Sequence, residues 1–563
     1  MVFAADLQGL RMAQSDNFAA ALQQWQHLLG AEQVITHNEQ TRLAATATFL
    51  TTSQVLAILR PDKSELAACL QIATDFGIAV YPVSSGKNWG YGSRVPSCRQ
   101  AVLIDLIRLK KISDYQPQQH VIRVEAGVTQ QELAEYLQRA GGTDWMDCTG
   151  SHPDCSIVGN TVERGFGHTP YGEHANFIAG LEVMLADGSI IQTGFHRFDN
   201  ARAAGLYKWG LGPGLDQLFL QSNLGIVLSM TLWLMPKPEK FIAFYLSAKT
   251  DAALEAIVSA LTPLKQQGII TSLPHIANEF RVLGGMQQYP WQRAQELKQT
   301  GFPLPAALKA ELQQKWQVGN WNVSGALYGT REQVANAKRQ VRRALSKVPA
   351  ARLNFISDEL LCFIERYQKL IAWITRMDIP GMLKVLRPVH NMMKGLPSSQ
   401  FLSSAYWRKQ HKASADFDLD RDGVGLIWCA FVGPATAAAA RELMNIISDV
   451  LTRHGFEPGV TFTLLNERCL DAVISLLFDR QAMAPDGQSW DDKALACRQE
   501  LYQQMFRHGF YPYRVDVDMM KLLNTTGDAS YLELLQRLKS CLDPAGILAP
   551  GRYIAESMQE LSE

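Results

Sequence analysis

Three stretches of this sequence carry glycines, hydroxyl residues and amides at spacings that can turn the backbone into an anion cradle. The first is Pro82-Val-Ser-Ser-Gly-Lys-Asn-Trp-Gly-Tyr-Gly92, which follows the apolar run Gly77–Tyr81, read here as a short buried strand. Gly86, Gly90 and Gly92, with Ser84, Ser85 and Asn88, let successive N–H groups converge on one point, a geometry that holds phosphate or pyrophosphate. The order is not G-x-G-x-x-G, and Lys87 is not followed by Ser or Thr, so neither a dinucleotide fingerprint nor a Walker loop is present. An ordinary glycine turn is the other reading of this loop alone. The second stretch runs from Ser156 to His174 and the third from Gly210 to Gly225. Three such loops between predicted strands suit a large, extended anionic cofactor better than a single phosphate.

The elements that must position these loops alternate. Val102–Leu106, His120–Glu125, Leu181–Leu185, Ile190–Thr193 and Ile226–Trp233 read as strands, and Asp187-Gly188 as a hairpin turn. Thr129 to Ala140 reads as an amphipathic helix capped by Thr129. Pro236 and Pro238 mark a boundary. Beyond it, longer helices (Asp251–Lys265, Arg331–Lys347, Ala435–His454) alternate with strands (Asn322–Tyr328, Gly425–Val432, Asp471–Phe478), an α+β domain of its own. A last helix, Tyr531–Leu542, precedes a proline-capped turn. Asp418-Leu-Asp-Arg-Asp-Gly423 has the opening of a calcium loop, but Cys429 stands where a bidentate Glu is needed, so it reads as a solvated acidic turn.

The 563 residues exceed one compact core, so two domains are expected. Lys+Arg and Asp+Glu balance at 54 each, which argues against a nucleic-acid partner or a polybasic membrane surface. No apolar run has the length of a membrane span, and residues 1–20 lack the basic-then-apolar order of a signal peptide. The nine cysteines are scattered with no C-x-x-C pair, a pattern of free thiols in a cytoplasmic protein.

In their order and spacing, the three glycine segments resemble the flavin domain of the vanillyl-alcohol oxidase and 4-cresol dehydrogenase family. Gly159-Asn-Thr, Glu163-Arg-Gly and Thr169-Pro-Tyr-Gly-Glu-His174 carry most of the likeness. Asn320 to Gly329 and Asp543-Pro-Ala-Gly-Ile-Leu-Ala-Pro-Gly551 extend it, so that it covers the chain from about residue 45 onward. The resemblance implies a two-domain α+β flavoprotein: a two-lobed FAD-binding domain formed by residues 1–238 and 505–563, with an α+β cap inserted at 239–504. It implies FAD held by Pro82, Ser84, Ser85, Gly86, Lys87, Asn88, Gly90 and Gly92 of the first loop. From the second loop it implies Ser151, Ser156, Gly159, Asn160, Glu163, Gly165, Tyr171 and Gly172, and further along Gly225, Ile226 and Arg552.

The family takes a hydride from the benzylic carbon of a 4-substituted phenol through a quinone methide, with the flavin as acceptor. Ionising a phenol of pKa near 10 at neutral pH requires a shift of about three units, or roughly 4 kcal/mol. A nearby Arg and hydrogen-bond donors can supply that. The resemblance assigns this work to Tyr91, Tyr513 and Arg514.

Two departures bear on mechanism. Where the family often tethers flavin through a cap His or Tyr, this chain has Asp471 and Ala472, so FAD is expected to be non-covalent. Where vanillyl-alcohol oxidase has an aspartate near flavin N5, this chain has Ser151, leaving His152 and Asp154 as candidate bases. The expected function is an FAD-dependent oxidase or dehydrogenase of a para-substituted phenol, passing electrons to O2 or a protein acceptor, in a homodimer or larger oligomer. The alternatives are a tailoring oxidase of a non-phenolic alcohol, amine or larger aromatic metabolite, and a non-catalytic electron-transfer subunit.

Overall fold

The computed structural model describes residues 2–298, 301–411, 413–414, 416–523 and 526–555, with side chains from residue 16 onward. The N-terminal domain holds two larger sheets and a two-stranded pair of Asp144–Trp145 with Met235–Pro236. In the first, the parallel strands Gln54–Leu59, Gln100–Asp105 and Val80–Val83 lie side by side, with Val34–Ile35 antiparallel at the edge. These strands are apolar on both faces, as a covered parallel sheet requires. The second sheet is antiparallel, in the order Ile112–Gln116, Val121–Glu125, Ile226–Trp233, Ile178–Met184, Ile190–Gln192. Its last two strands are joined through Asp187-Gly188, where Gly188 takes a positive φ of 82°. The helix Gln130–Arg139 begins with the expected Thr129, in a full capping box with Glu132.

The second domain is built on an eight-stranded sheet in the order Ala351–Ile356, Lys240–Ala248, Trp321–Gly329, His275–Asn278, Val460–Leu464, Cys469–Asp479, Val424–Pro434, Tyr511–Arg514. Successive residues of a strand face opposite sides. Phe244, Ile276, Val323 and Phe462 enter a core shared with the helices Ala253–Gln266, Arg331–Leu345, Ala437–Arg453 and Trp490–Arg507. Their neighbours Tyr245, His275, Ala277, Asn322, Ser324, Thr461 and Thr463 turn the other way and line a cavity. Met382, Val385 and Val389, from the helix Ile379–Met392, border the same space.

The structure divides the 505–563 segment in a way its composition does not announce. Tyr511–Arg514 completes the cap sheet by pairing with Val424–Pro434. Only beyond it, after the helix Ala529–Leu542, does the chain rejoin the first sheet: Val80 N–H donates to the Ile547 carbonyl at 2.8 Å and Ala549 N–H to the Val80 carbonyl at 2.8 Å.

The acidic turn at 418–423 is not a solvated loop. Asp420 accepts from Trp89 Nε1 at 3.0 Å and Ser93 Oγ at 2.7 Å, so it clips the cap onto the first glycine loop. No metal-ligand cluster occurs among the described residues. Burial pushes the Asp420 carboxyl up to about 7. A carboxyl whose pKa rises on folding stabilises most below its unfolded value, and that contribution is lost as pH rises through the folded value. Between pH 5.5 and 8.5 the wild type should therefore lose more stability in urea titrations than Asp420→Asn, whose neutral amide does not titrate.

Candidate active site

A cavity of about 730 Å³ lies between the two domains, a volume typical of cofactor and substrate sites. Pro82, Ser84, Ser85, Gly86, Lys87, Asn88 and Tyr91 from the first loop form part of its wall. Ser151, Ser156, Gly159, Asn160, Glu163 and Gly165 form another part, with Gly225, Ile226, Tyr513, Arg514 and Arg552 beyond them. The loops are stitched to each other. Ser156 caps the turn Ile157–Val162 by accepting from Gly159 N–H at 2.8 Å, and its own N–H donates to Ser85 Oγ at 2.9 Å. A Cβ on Gly159 would collide with the Ser84 hydroxyl, so only glycine lets the two loops touch.

Gly90 and Gly92 do something other than line the wall. Trp428 and Val517 of the cap domain occupy the space that a side chain at either position would need. Trp428 N–H also donates to the Gly90 carbonyl at 3.0 Å. These two glycines admit the cap. Tyr171 and Gly172 also lie off the wall: Tyr171 stacks on Phe177 at 4.1 Å, and the Gly172 carbonyl accepts from Gly167 N–H.

His152 and Asp154 do not reach the cavity wall. The His152 Nδ1 accepts from Asp154 N–H at 3.1 Å and its Nε2 lies 3.3 Å from the Asp416 carbonyl of the cap, so one ring nitrogen is spent on the loop and the other on the cap. The Asp154 side chain is 60% exposed to solvent. His174 braces the second loop between Asn160 and Asp147, at 2.7 and 2.8 Å.

Tyr91, Tyr513 and Arg514 come together. The Arg514 guanidinium lies over the Tyr91 ring at 4.2 Å, and Tyr513, the residue before Arg514, lies on the same wall beside them. Arg514 also donates to Asn88 Oδ1 at 2.6 Å, joining the last strand of the cap sheet to the first loop. Burial raises both phenols, Tyr91 well above its ordinary value and Tyr513 to about 12, so each stays a protonated donor at neutral pH. Glu163 forms ion pairs with Arg514, at 3.2 Å, and with Arg552, and accepts from Tyr553 O–H at 2.7 Å. Two guanidinium groups sharing one carboxylate leave one net positive charge.

The sequence gives no signal for two further features. His168 and His275 stack at 4.0 Å on the wall. Burial lowers both, His275 to about 4, so the pair is neutral. His275 Nδ1 donates to the Leu273 carbonyl at 2.8 Å, which leaves Nε2 as an acceptor. Arg281, from the helix Glu279–Met286, is the second feature on the wall.

Four residues of the wall, Ser222, Asn223, His168 and Thr463, also carry a buried polar atom with no hydrogen-bond partner. A large polar cofactor suits such a wall, because buried polar groups without partners are costly. Comparison with known proteins agrees. Residues 56–194 match the FAD binding domain family. The chain is 36% identical to 1'-carboxy-chondrochloren decarboxylase of Chondromyces crocatus, covering 95% of this chain and 96% of that protein. It is 28% identical to the 4-cresol dehydrogenase [hydroxylating] flavoprotein subunit of Pseudomonas putida, covering 95% of each. The crystal structure of p-cresol methylhydroxylase with substrate bound superposes with a TM-score of 0.84 at 27% identity, over 96% of this chain and 97% of that one.

The chain belongs to the vanillyl-alcohol oxidase/4-cresol dehydrogenase family. It is an FAD-dependent oxidoreductase with that family's two-domain α+β fold. No helix among the described residues is long and apolar enough to cross a membrane. Removing one member of a buried ion pair costs about 3–5 kcal/mol, because the partner charge stays behind. Glu163→Gln should lower unfolding free energy by about that amount in denaturant titrations, and the purified variant should carry less FAD than wild type.

Proposed function

We propose that this enzyme oxidises a para-substituted phenol at its benzylic carbon, and that Tyr91, Tyr513 and Arg514 hold the phenol oxygen as an anion. The observation that carries the reading is the convergence of two protonated, buried tyrosines and a guanidinium on one wall of the cavity. FAD, when bound along the glycine loops, supplies the acceptor for the two electrons that leave with the hydride. The protein's part is electrostatic. One net positive charge at ~4 Å contributes about 4 kcal/mol at an effective dielectric near 20. That matches the cost of ionising the phenol at neutral pH, and the two O–H donors offset its desolvation. Asp471 lies off the cavity wall, and burial raises its carboxyl well above the ordinary value. A carboxyl set back from the wall is not placed to bond the flavin, which supports non-covalent FAD.

The likeness to 1'-carboxy-chondrochloren decarboxylase favours a second outcome at the same site, loss of CO2 from a carboxylated substrate. Carbon dioxide released per flavin reduced separates the two. The acceptor of the electrons, O2 or a protein, is read from peroxide formed in air, and the expected homodimer from light scattering.

Anaerobic mixing with 4-alkylphenols should bleach the flavin, and acid precipitation should release the yellow colour into the supernatant. A hydrogen bond to a charged group contributes about 1.5–3 kcal/mol. Tyr513→Phe and Arg514→Ala should therefore each slow bleaching by roughly 10- to 150-fold. Unchanged bleaching rates in both variants would remove the phenolate site from the account.

A further inference from the structure

We propose that Arg281 is an anchor for a carboxylate on the substrate, so that the enzyme's preferred phenols carry an acid on the para side chain. The inference rests on the phenol reading above for where the ring lies, and it adds the chemical class of the substituent.

Arg281 is a cation in a place that opposes one. It lies in the first turn of the helix Glu279–Met286, where its backbone N–H is taken by the cap residue Asn278 at 3.2 Å. Helix N-termini carry partial positive charge and favour anions. The acid of that first turn, Glu279, is already paired with Lys309 at 2.7 Å. Among the described residues no carboxylate forms an ion pair with Arg281, and burial alone lowers its guanidinium to about 10. Buried charges are ordinarily paired, because an unpaired one is costly.

Its surroundings fix the head group without neutralising it. Arg281 Nη1 donates to Ser404 Oγ at 3.1 Å, and the guanidinium lies over the Trp428 ring at 4.8 Å. Trp428 is the residue that sits against Gly90, next to Tyr91, so one indole separates the two arginine sites. Of five N–H donors on an arginine, Ser404 takes one, and Arg281 is part of the cavity wall. Glu163 is the one acid on that wall among the described residues, and it is committed to Arg514 and Arg552. A planar guanidinium with open donors matches a carboxylate in two parallel hydrogen bonds. A ring held at Tyr91, Tyr513 and Arg514 would extend its para substituent past Trp428 toward this group.

The test uses the FAD-loaded enzyme and two ligand series of two to four side-chain carbons, 4-hydroxyphenylalkanoates and phenylalkanoates, each beside its methyl ester. Binding is read from perturbation of the flavin spectrum for the phenyl series and from the concentration dependence of anaerobic reduction for the phenols. At one chain length or more the acid should bind on the order of 10-fold tighter than its ester. Arg281→Gln should abolish that preference, and Arg281→Lys, which keeps the charge but not the fork, should keep part of it. Acid and ester binding alike to wild type at every length would overturn the proposal, as would a wild-type preference surviving in Arg281→Gln. Should Arg281→Gln fail to fold, the wild-type ratio and its reduction in Arg281→Lys decide. The phenyl series has no phenol oxygen, so its outcome tests Arg281 alone. Failure of every neutral 4-alkylphenol to reduce wild type would instead count against the phenol reading.

Discussion

Glu163 is the charge on which the site depends. It draws together Arg514, from the last strand of the cap sheet, and Arg552, from the turn after the helix Ala529–Leu542, and it receives Tyr553 O–H as well. Without a carboxylate there, two guanidinium groups would face one another in a largely buried space, and neither the Tyr513-Arg514 strand nor the turn that holds Arg552 could settle. With it, the excess is one positive charge. That excess is strong enough to hold an anion and small enough to be buried, which is the balance an oxygen-anion site requires.

The same economy of charge runs through the rest of the cavity. Burial lowers His168 and His275, with His275 adding to the effect on His168, and Asp471, which lies off the wall, is raised well above the ordinary carboxylate range by burial. Neither the histidines nor the aspartate competes with a bound anion for the arginines. Low dielectric makes each remaining charge count for more, so in the proposed reading the two arginine sites at either side of Trp428 dominate recognition. The geometry depends on close approach between domains. Gly90 and Gly92 give up their side chains so that Trp428 and Val517 can reach the first loop, while Asp420 clips the cap to Trp89 and Ser93.

Much of this was legible in the residues. The strand Ile226–Trp233, the capped helix after Thr129 and the Asp187-Gly188 turn have local causes, alternation, a capping box and a positive φ, that a sequence displays. The first two loops meet at the cavity, whereas of the third only the end, with Gly225, reaches its wall and Gly212 and Gly214 lie exposed. What was not legible depends on contacts between distant segments. Asp420 reads as a surface acid until Trp89 and Ser93 are placed beside it. Tyr511–Arg514 is too short to declare which sheet it joins. His152 and Asp154 are chemically plausible bases, but the loop and the cap's Asp416 carbonyl occupy both histidine nitrogens. Arg281 resembles any arginine in a helix until the absence of a partnering carboxylate is seen.

The central claim is that the buried tyrosine pair and Arg514 hold the substrate oxygen as an anion at neutral pH. A phenol that lacks a benzylic carbon, such as 4-chlorophenol, can be bound without turnover and its protonation read directly from its ultraviolet difference spectrum. At pH 7 the bound ligand should show the phenolate band in wild type and the neutral phenol band in Arg514→Ala. A neutral phenol bound to the wild-type enzyme at that pH would contradict the account.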